Sequence, residues 1–421
     1  MEPPGGRSPG GSGIFRGKTR NMTDSGRSLP WGGRGARLGT LFLFGGLANI
    51  TLLCSPVIAA QLGAQFHLSD RLIGFFFSIE FAGYLAGGLL GRRFMPRHDW
   101  RKLALLALAG LVLASLASVP AGAAFTSLLA VRFIAATCSA SLGMLCMATA
   151  NEDGHASQAL ALYIMGQLVT GVVGLVALPL LFARLGLSGF FLLIGGCALL
   201  MAPMATLLSP GNHARTPTGN AEPINSQRLW LRFPAVLFFY LGLGGIWTFV
   251  GQIAGTIPID PSELGWILSG ATMAGIMGSA LAATISKSIN SRWPLCMGYA
   301  IMLAGCLGFL GRGSITVFLL AALAFKFSWT FVVPFILSTI GRFDRDGRMI
   351  ADINLVIGLG LALGPALAGE LIAGLGGYAA MILGEAALLF IAWFSAHMLA
   401  GAAAGRNTAQ PSPAQAAGAN A

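Results

Sequence analysis

Five ionisable side chains stand inside long apolar runs of this 421-residue chain: Glu80, Arg132, Lys326, Glu370 and Glu385. A charge placed in hydrocarbon is costly, so such groups normally face a partner or an interior cavity and mark a pathway for ions or substrate. Glu80 and Arg132 come at similar distances from the same ends of the second and fourth runs, which lets them meet. Burial favours the neutral acid and a neighbouring guanidinium favours the carboxylate, so the protonation of Glu80 can follow changes in solvent access. The alternative is a static ion pair. Lys326 has no acid at matched depth; a buried lysine must find an anion or lose its proton. With Arg132 at the corresponding place in the first half, it suggests an anionic substrate such as an organic carboxylate. The alternative is a lysine that snorkels to an interface or is satisfied by carbonyls. Glu370, near the end of the eleventh run, and Glu385, within the twelfth, are expected to have structural roles or to interact with each other.

These residues need elements to hold them. The chain is 55% hydrophobic and only 10% charged, where soluble domains carry about 25% charged residues. Apolar runs lie near 39–61, 72–90, 103–120, 124–148, 157–182 and 187–208, and again near 231–254, 264–285, 294–311, 316–340, 350–373 and 378–400. About twenty apolar residues cross a bilayer as a helix. Barrel strands would be about half that length and alternate in polarity. The expected fold is therefore an all-α membrane protein of twelve transmembrane helices. Its parts are a basic leader (1–37), a six-helix bundle (38–208), a polar linker (209–229), a second six-helix bundle (230–400) and a tail (401–421). Leader and tail are expected to be disordered from their composition.

With the N-terminus placed in the cytoplasm, 21 of the 26 basic residues fall in cytoplasmic segments and three (Arg71, Arg184, Arg312) outside. That asymmetry puts both termini inside and makes the helix number even. It also accounts for the net charge of +11 without nucleic acid. The halves repeat weakly. Ile73–Leu90 aligns on Leu264–Leu281, matching Gly74/Gly265, Ser78/Ser269 and Gly87/Gly278. Leu129–Phe133, around Arg132, aligns on Leu323–Phe327, around Lys326. Parallel six-helix repeats place a substrate site at the midplane between halves.

Several chemistries find no support. Ser12–Thr19 nearly matches a phosphate loop, but its first glycine is serine and no strand precedes it. The six cysteines fall in apolar runs without zinc or redox spacing, and the five histidines form no metalloprotease motif. No metal, cofactor or enzymatic activity is expected.

Topology, linker and repeat together resemble the major facilitator superfamily over roughly residues 38–400. The superfamily's loop between helices 2 and 3, G-x-x-x-D-R-x-G-R-R, is represented by Gly91–Lys102, where Met95 stands in place of the acid and Asp99 comes late. Arg132 with Ala136 and Ala140 matches the helix 4 pattern. A Gly-Pro motif is absent from helix 5, and Gly360-x-x-x-Gly364-Pro365 stands in helix 11 instead. The resemblance implies alternating access of a central cavity lined by helices 1, 5, 7 and 10. Asn49, Tyr163, Gln167, Trp247, Gln252 and Trp329 lie on those helices and, with Lys326, are the candidate cavity residues. A few polar groups in an aromatic wall suit a small-molecule site; ordinary helix packing is the alternative for each. The expected function is secondary active transport of a small molecule, coupled to protons through Glu80 and Arg132, by a monomer in the plasma membrane (a bacterial inner membrane). An exporter of lipophilic compounds and a non-transporting receptor or scaffold of the same fold are the alternatives.

Overall fold

The computed structural model describes residues 33–122, 124–211, 229–285, 292–311, 313–341 and 348–409. Among them all regular structure is helical. In chain order the helices are α1 (Arg34–Leu53), α2 (Ser55–Phe66), α3 (Asp70–Phe94), α4 (Trp100–Ala121), α5 (Phe125–Glu152) and α6 (Ala156–Met201). Then follow α7 (Arg232–Ala254), α8 (Pro261–Ile285), α9 (Arg292–Gly308), α10 (Ile315–Gly341), α11 (Arg348–Leu375) and α12 (Tyr378–Ala409). Ten helical stretches among the described residues are long and apolar enough to cross a membrane. Large apolar side chains such as Leu106, Leu113 and Leu200 point outward along them, and Trp230, Trp266 and Trp293 are exposed. An outer surface of this kind belongs in lipid, with tryptophan at the boundary. The chain is a multi-pass membrane protein.

Two local devices shape the helices. The first apolar run is one segment in sequence, but it breaks at Cys54 (φ −98°, ψ 10°) between α1 and α2. Pro56 stands in the first turn of α2; its ring obstructs the carbonyl four residues back and it has no N–H to donate. The Ser55 hydroxyl donates to that carbonyl, Leu52 O, at 3.1 Å. Conversely, two expected runs, 157–182 and 187–208, are covered by the 46-residue α6, interrupted only at Gly186 (φ 59°, ψ −160°). Positive φ is where glycine is tolerated and other residues are strained. Gln65 Oε1 accepts from Leu187 N at 2.8 Å, so the amide freed at the break is satisfied.

Other boundaries differ in detail. α1 begins at Arg34, inside the segment expected to be leader, and α12 runs to Ala409 rather than ending near 400. The Ala-rich stretch after Gly401 is a strong helix former, which explains the extension. Asp99, late for the superfamily motif, caps α4 by accepting from Arg101 N at 2.8 Å. Arg101 in turn donates to Leu208 O at 2.8 Å, so this loop is fastened to the chain after α6.

Helices α1 and α6, α3 and α5, α8 and α10, and α7 and α11 pack as close pairs, and α3–α11, α6–α8 and α2–α7 join the first half of the chain to the second. Close approach rests on small residues. A Cβ on Gly87 would strike Thr137 O of α5 and one on Gly278 would strike Phe327 O of α10. These two aligned glycines therefore each seat against the helix that carries a buried cation. Gly270, on the same helix as Gly278, faces open space.

Arg34 donates to Asp153 Oδ1 (3.2 and 3.3 Å), tying the start of α1 to the turn after α5. The backbone N–H of His155 and the Arg34 guanidinium hold the Asp153 carboxyl below its ordinary range. A lowered folded-state value stabilises above the unfolded value and is lost as pH falls through the folded one. Acidification through the carboxylate range is thus expected to loosen this tie in the wild type and not in Asp153→Asn, read as protease sensitivity of the α5–α6 turn. A second expectation concerns packing. A Cβ on Gly166 collides with the backbone of Phe42 in α1, whereas Gly196 has nothing within 4 Å. Gly166→Ala should lower stability by about 1–3 kcal/mol, the usual range for overpacking. Gly196→Ala should be neutral or better in the same detergent melting assay.

Candidate functional site

Along α3 three zones follow one another. At its start, residues 70–78 are sealed against α11. Ser78 Oγ accepts from Ala366 N at 2.9 Å, and Arg71 pairs with Glu370 at 2.5 Å with both side chains more than half exposed. The Tyr378 hydroxyl donates to Asp70, 3.2 Å from each carboxylate oxygen. In the middle stands Glu80. Beyond it, Tyr84, Leu85, Gly88 and Arg92 line a cavity of about 460 Å³ closed on other sides by α1, α5, α6 and the first turns of α11. The same order reads in reverse on α11, where 354–361 line the cavity and 366–370 belong to the seal.

Glu80 and Arg132 are therefore where the sequence expects them, paired at the boundary between seal and cavity. Arg132 Nε donates to Glu80 Oε2 at 2.9 Å and Nη2 to Oε1 at 2.5 Å. Glu80 is 0% and Arg132 2% exposed. The planar guanidinium fork matches both carboxylate oxygens, the strongest geometry available to such a pair. Thr51 Oγ1 accepts from Nη2 at 3.4 Å, and the Phe191 ring lies 5.2 Å from the guanidinium carbon. Nη1 is enclosed and meets no acceptor among the described residues. One helical turn on from Glu80, the Tyr84 hydroxyl donates to Ala48 O at 2.9 Å and roofs the pair from the cavity side. Sequence reasoning missed Tyr84, Thr51 and Phe191. The i, i+4 spacing from Glu80 could have found Tyr84; nothing local could have found the other two, which arrive from different helices.

Lys326 forms a separate cluster. Its Nζ lies 3.6 Å from the ring centroids of both Trp247 and Trp329, and the two indoles meet edge to face at 5.9 Å. Trp247 Nε1 donates to Leu53 O at 3.3 Å, so the cluster rests on the break in the first span. Lys326 has no ion-pair partner among the described residues and is 2% exposed; two indole faces supply its electrostatic stabilisation. Of the expected cavity residues, Asn49 and Tyr163 line the cavity, with Asn49 Nδ2 3.4 Å from the Tyr163 hydroxyl and Gln167 beside that hydroxyl. Lys326 and Trp247 are buried and Trp329 half-buried, and none of the three lines the cavity. Gln252 also lies apart from the cavity, and its amide atoms find no partner among the described residues. Of the two alternatives for Glu370 and Glu385, a mutual interaction is not seen: Glu370 is taken by Arg71, and Glu385 is buried against Gly245. Among the described residues no cluster of His, Cys, Asp and Glu could hold a metal ion.

Removing one partner of a buried pair strands the other charge, at about 3–5 kcal/mol, whereas replacing both with apolar groups of similar volume is often neutral. Glu80→Ala is expected to destabilise the protein by that order and Glu80→Met with Arg132→Met to recover most of it, measured by melting in detergent. Equal losses in the single and double variants would show that the pair is not a coupled unit.

Residues 38–232 match the family model of the Major Facilitator Superfamily. Two solved structures of a bacterial homolog to the human lysosomal transporter Spinster share the fold. One, inward-facing and unoccupied, aligns at 16% identity and a TM-score of 0.65 over 91% of this chain and 100% of that one. The other, inward-facing and occupied, aligns at 17% identity and a TM-score of 0.66 over 92% and 100%. At these identities the likeness is one of fold. No curated protein matches the chain.

Proposed function

We propose that the chain is a member of the Major Facilitator Superfamily, whose family model matches residues 38–232 and whose fold is that of the two solved transporter structures, and that it is a proton-coupled secondary transporter of a small molecule. The observation that carries this reading is the place of the Glu80–Arg132 pair, buried between a sealed zone and an open cavity on the same helix. A carboxylate at such a boundary changes its surroundings whenever the seal and the cavity exchange sides. Proton uptake by Glu80 breaks the bidentate pair and frees Arg132, whose Nη1 already has no acceptor; proton loss restores the pair. Movement between the halves thereby becomes linked to the charge state of one residue.

The architecture proposed for this cycle has twelve spans in two six-helix bundles, residues 38–208 and 230–400, joined by 209–229. α1 with α2 makes one bent span, Gly186 divides α6 into two, and the 17-residue α9 completes the count. Basic residues in the loops favour both termini on the cytoplasmic side, which turns the cavity toward the cytoplasm and the α3–α11 seal outward. A bacterial inner membrane and a monomer remain part of the proposal.

For the substrate, Lys326 and Arg132 favour a small organic anion. The present cavity wall, with Leu85, Met144, Met147, Leu355, Ile357 and Leu361, favours a second reading, export of lipophilic compounds. One experiment separates them. Proteoliposomes loaded with a pH dye are challenged with a panel of organic anions and amphiphilic cations, for the wild type, Glu80→Gln and Lys326→Met. The expected outcome is substrate-driven proton movement that Glu80→Gln abolishes while substrate binding survives, and anion recognition that Lys326→Met weakens at least tenfold, the worth of about 1.4 kcal/mol. Coupling unchanged in Glu80→Gln would make the pair structural. Response only to amphiphiles, indifferent to Lys326→Met, would favour the second reading. Binding without flux for every compound would leave a receptor of this fold.

A further inference from the structure

Glu385 of α12 is 0% exposed, and both its carboxyl oxygens are enclosed without a hydrogen-bond partner among the described residues. The side chain is aimed at α7, where a Cβ on Gly245 would strike Glu385 Oε1 and would lie 3.1 Å from Ala368 Cβ of α11. Two more unpartnered polar groups follow on α7. Thr248 is 1% exposed and its Oγ1 meets no partner; neither amide atom of Gln252 does either. Gly245, Thr248 and Gln252 are spaced i, i+3, i+7, so they share one helix face, and the contacts of Gly245 turn that face toward α11 and α12.

This line of polar groups runs toward an opening. A cavity of about 500 Å³ lies at the ends of α7 and α12, bordered by Ile253, Thr256, Phe309, Tyr378 and Ile382. Glu385 is one turn past Ile382, roughly 5 Å by helical rise. Three unsatisfied buried groups in a row call for a common physical explanation, and hydration from this cavity supplies one.

We propose that Glu385, Thr248 and Gln252 form a second proton-binding site, in which the Glu385 carboxyl holds a proton and exchanges it with water entering from the cavity at the ends of α7 and α12, independently of Glu80 and Arg132. In the exchange the carboxyl O–H bond breaks, the electron pair stays on the carboxylate, and the proton passes to a water hydrogen-bonded along Thr248 and Gln252.

The charged and titratable groups around Glu385 are few. From α9 the Cys306 thiol interacts with it, and that sulfur is directed to Ile382 O at 3.7 Å; Tyr299, two turns earlier on the same helix, is buried with its hydroxyl unpartnered among the described residues. α7 presents Gly242 and Gly245, and α11 presents Ala368. Lys326 of α10 is held by its two indoles, Glu370 by Arg71 and Asp70 by Tyr378. On α12 itself, His397 is twelve residues away, about 18 Å by helical rise, and sits against Cys296. With no cation paired to it among the described residues, an ionised Glu385 would be an uncompensated buried charge, so the neutral acid is the form the site holds. Sodium fits less well than a proton, because the contact between the carboxyl and Gly245 leaves no room for an ion on the α7 side.

The test is infrared spectroscopy of the full chain in lipid at neutral pH, following the C=O stretch of a protonated carboxyl and its shift in heavy water. Expected is a band present in the wild type and in Glu80→Gln and absent in Glu385→Gln, a near-isosteric change. Its deuterium shift should slow several-fold in Thr248→Val combined with Gln252→Leu. A band missing from the wild type, or surviving in Glu385→Gln, overturns the proposal. So does exchange at the wild-type rate in the Thr248/Gln252 variant, which would leave a trapped structural acid. Loss of the wild-type band when sodium replaces potassium overturns it in favour of a metal cation. None of these readouts depends on transport, so the proposal stands or falls apart from the role of Glu80.

Discussion

The cost of an ion in a medium that cannot solvate it governs this molecule. Glu80 and Arg132 are both removed from water, and each alone would be too expensive to bury. Their bidentate contact makes the burial tolerable, and it requires α3 and α5 to lie at one spacing and one rotation. The close packing of those helices is set by glycine: Gly83 and Gly87 leave α3 no side chain where Phe133 O and Thr137 O of α5 pass. The backbone contact brings the ions together, and the ions in turn penalise any shift of α3 along α5. Small residues and buried charges here are two parts of one constraint.

A stiff contact within the first half contrasts with the junction between halves. There the α3–α11 seal is built from one side chain to backbone bond at Ser78, an exposed ion pair and a tyrosine on a carboxylate. Exposed ion pairs contribute about 0–1 kcal/mol, so the polar contacts of the seal are weak ones. Glycine assists again, since Gly74 sits directly on Pro365 O. The junction therefore combines weak polar contacts with close backbone packing of α3 on α11. The breaks at Cys54 and Gly186 lie on the same side of the fold as the seal, and each has its freed backbone group satisfied by a neighbouring side chain.

Much of this was legible in the sequence because hydrocarbon punishes exceptions. Apolar length and the scarcity of charge marked the helices, and the same scarcity made Glu80, Arg132 and Lys326 conspicuous. Matching depth was enough to pair the first two. What failed to show were relations set by rotation about a helix axis. Gln252 has the composition of a cavity residue but sits on the α7 face turned to α11 and α12, and depth alone could not separate those faces. For Glu370 and Glu385 the sequence left structural roles or a mutual interaction open; one reaches across to Arg71 and the other points inward at Gly245. The helical break at Cys54 followed from Pro56 only once the missing donor was weighed against an uninterrupted apolar run. Asp99, displaced from the motif position, turned out to cap α4.

The two halves repeat in sequence, and their buried cations show how far the repeat has diverged. Arg132 and Lys326 occupy aligned positions, each on a helix that a conserved-position glycine approaches closely (Gly87 and Gly278). Arg132 is neutralised by a carboxylate from α3. The residue aligned with Glu80 is Ala271, so Lys326 has lost that option and is held by Trp247 and Trp329. An indole face attracts a cation far less than a carboxylate does. Lys326 is accordingly the less fully compensated of the two buried cations. A difference at one aligned position, glutamate in the first half and alanine in the second, is enough to give two aligned cations different surroundings.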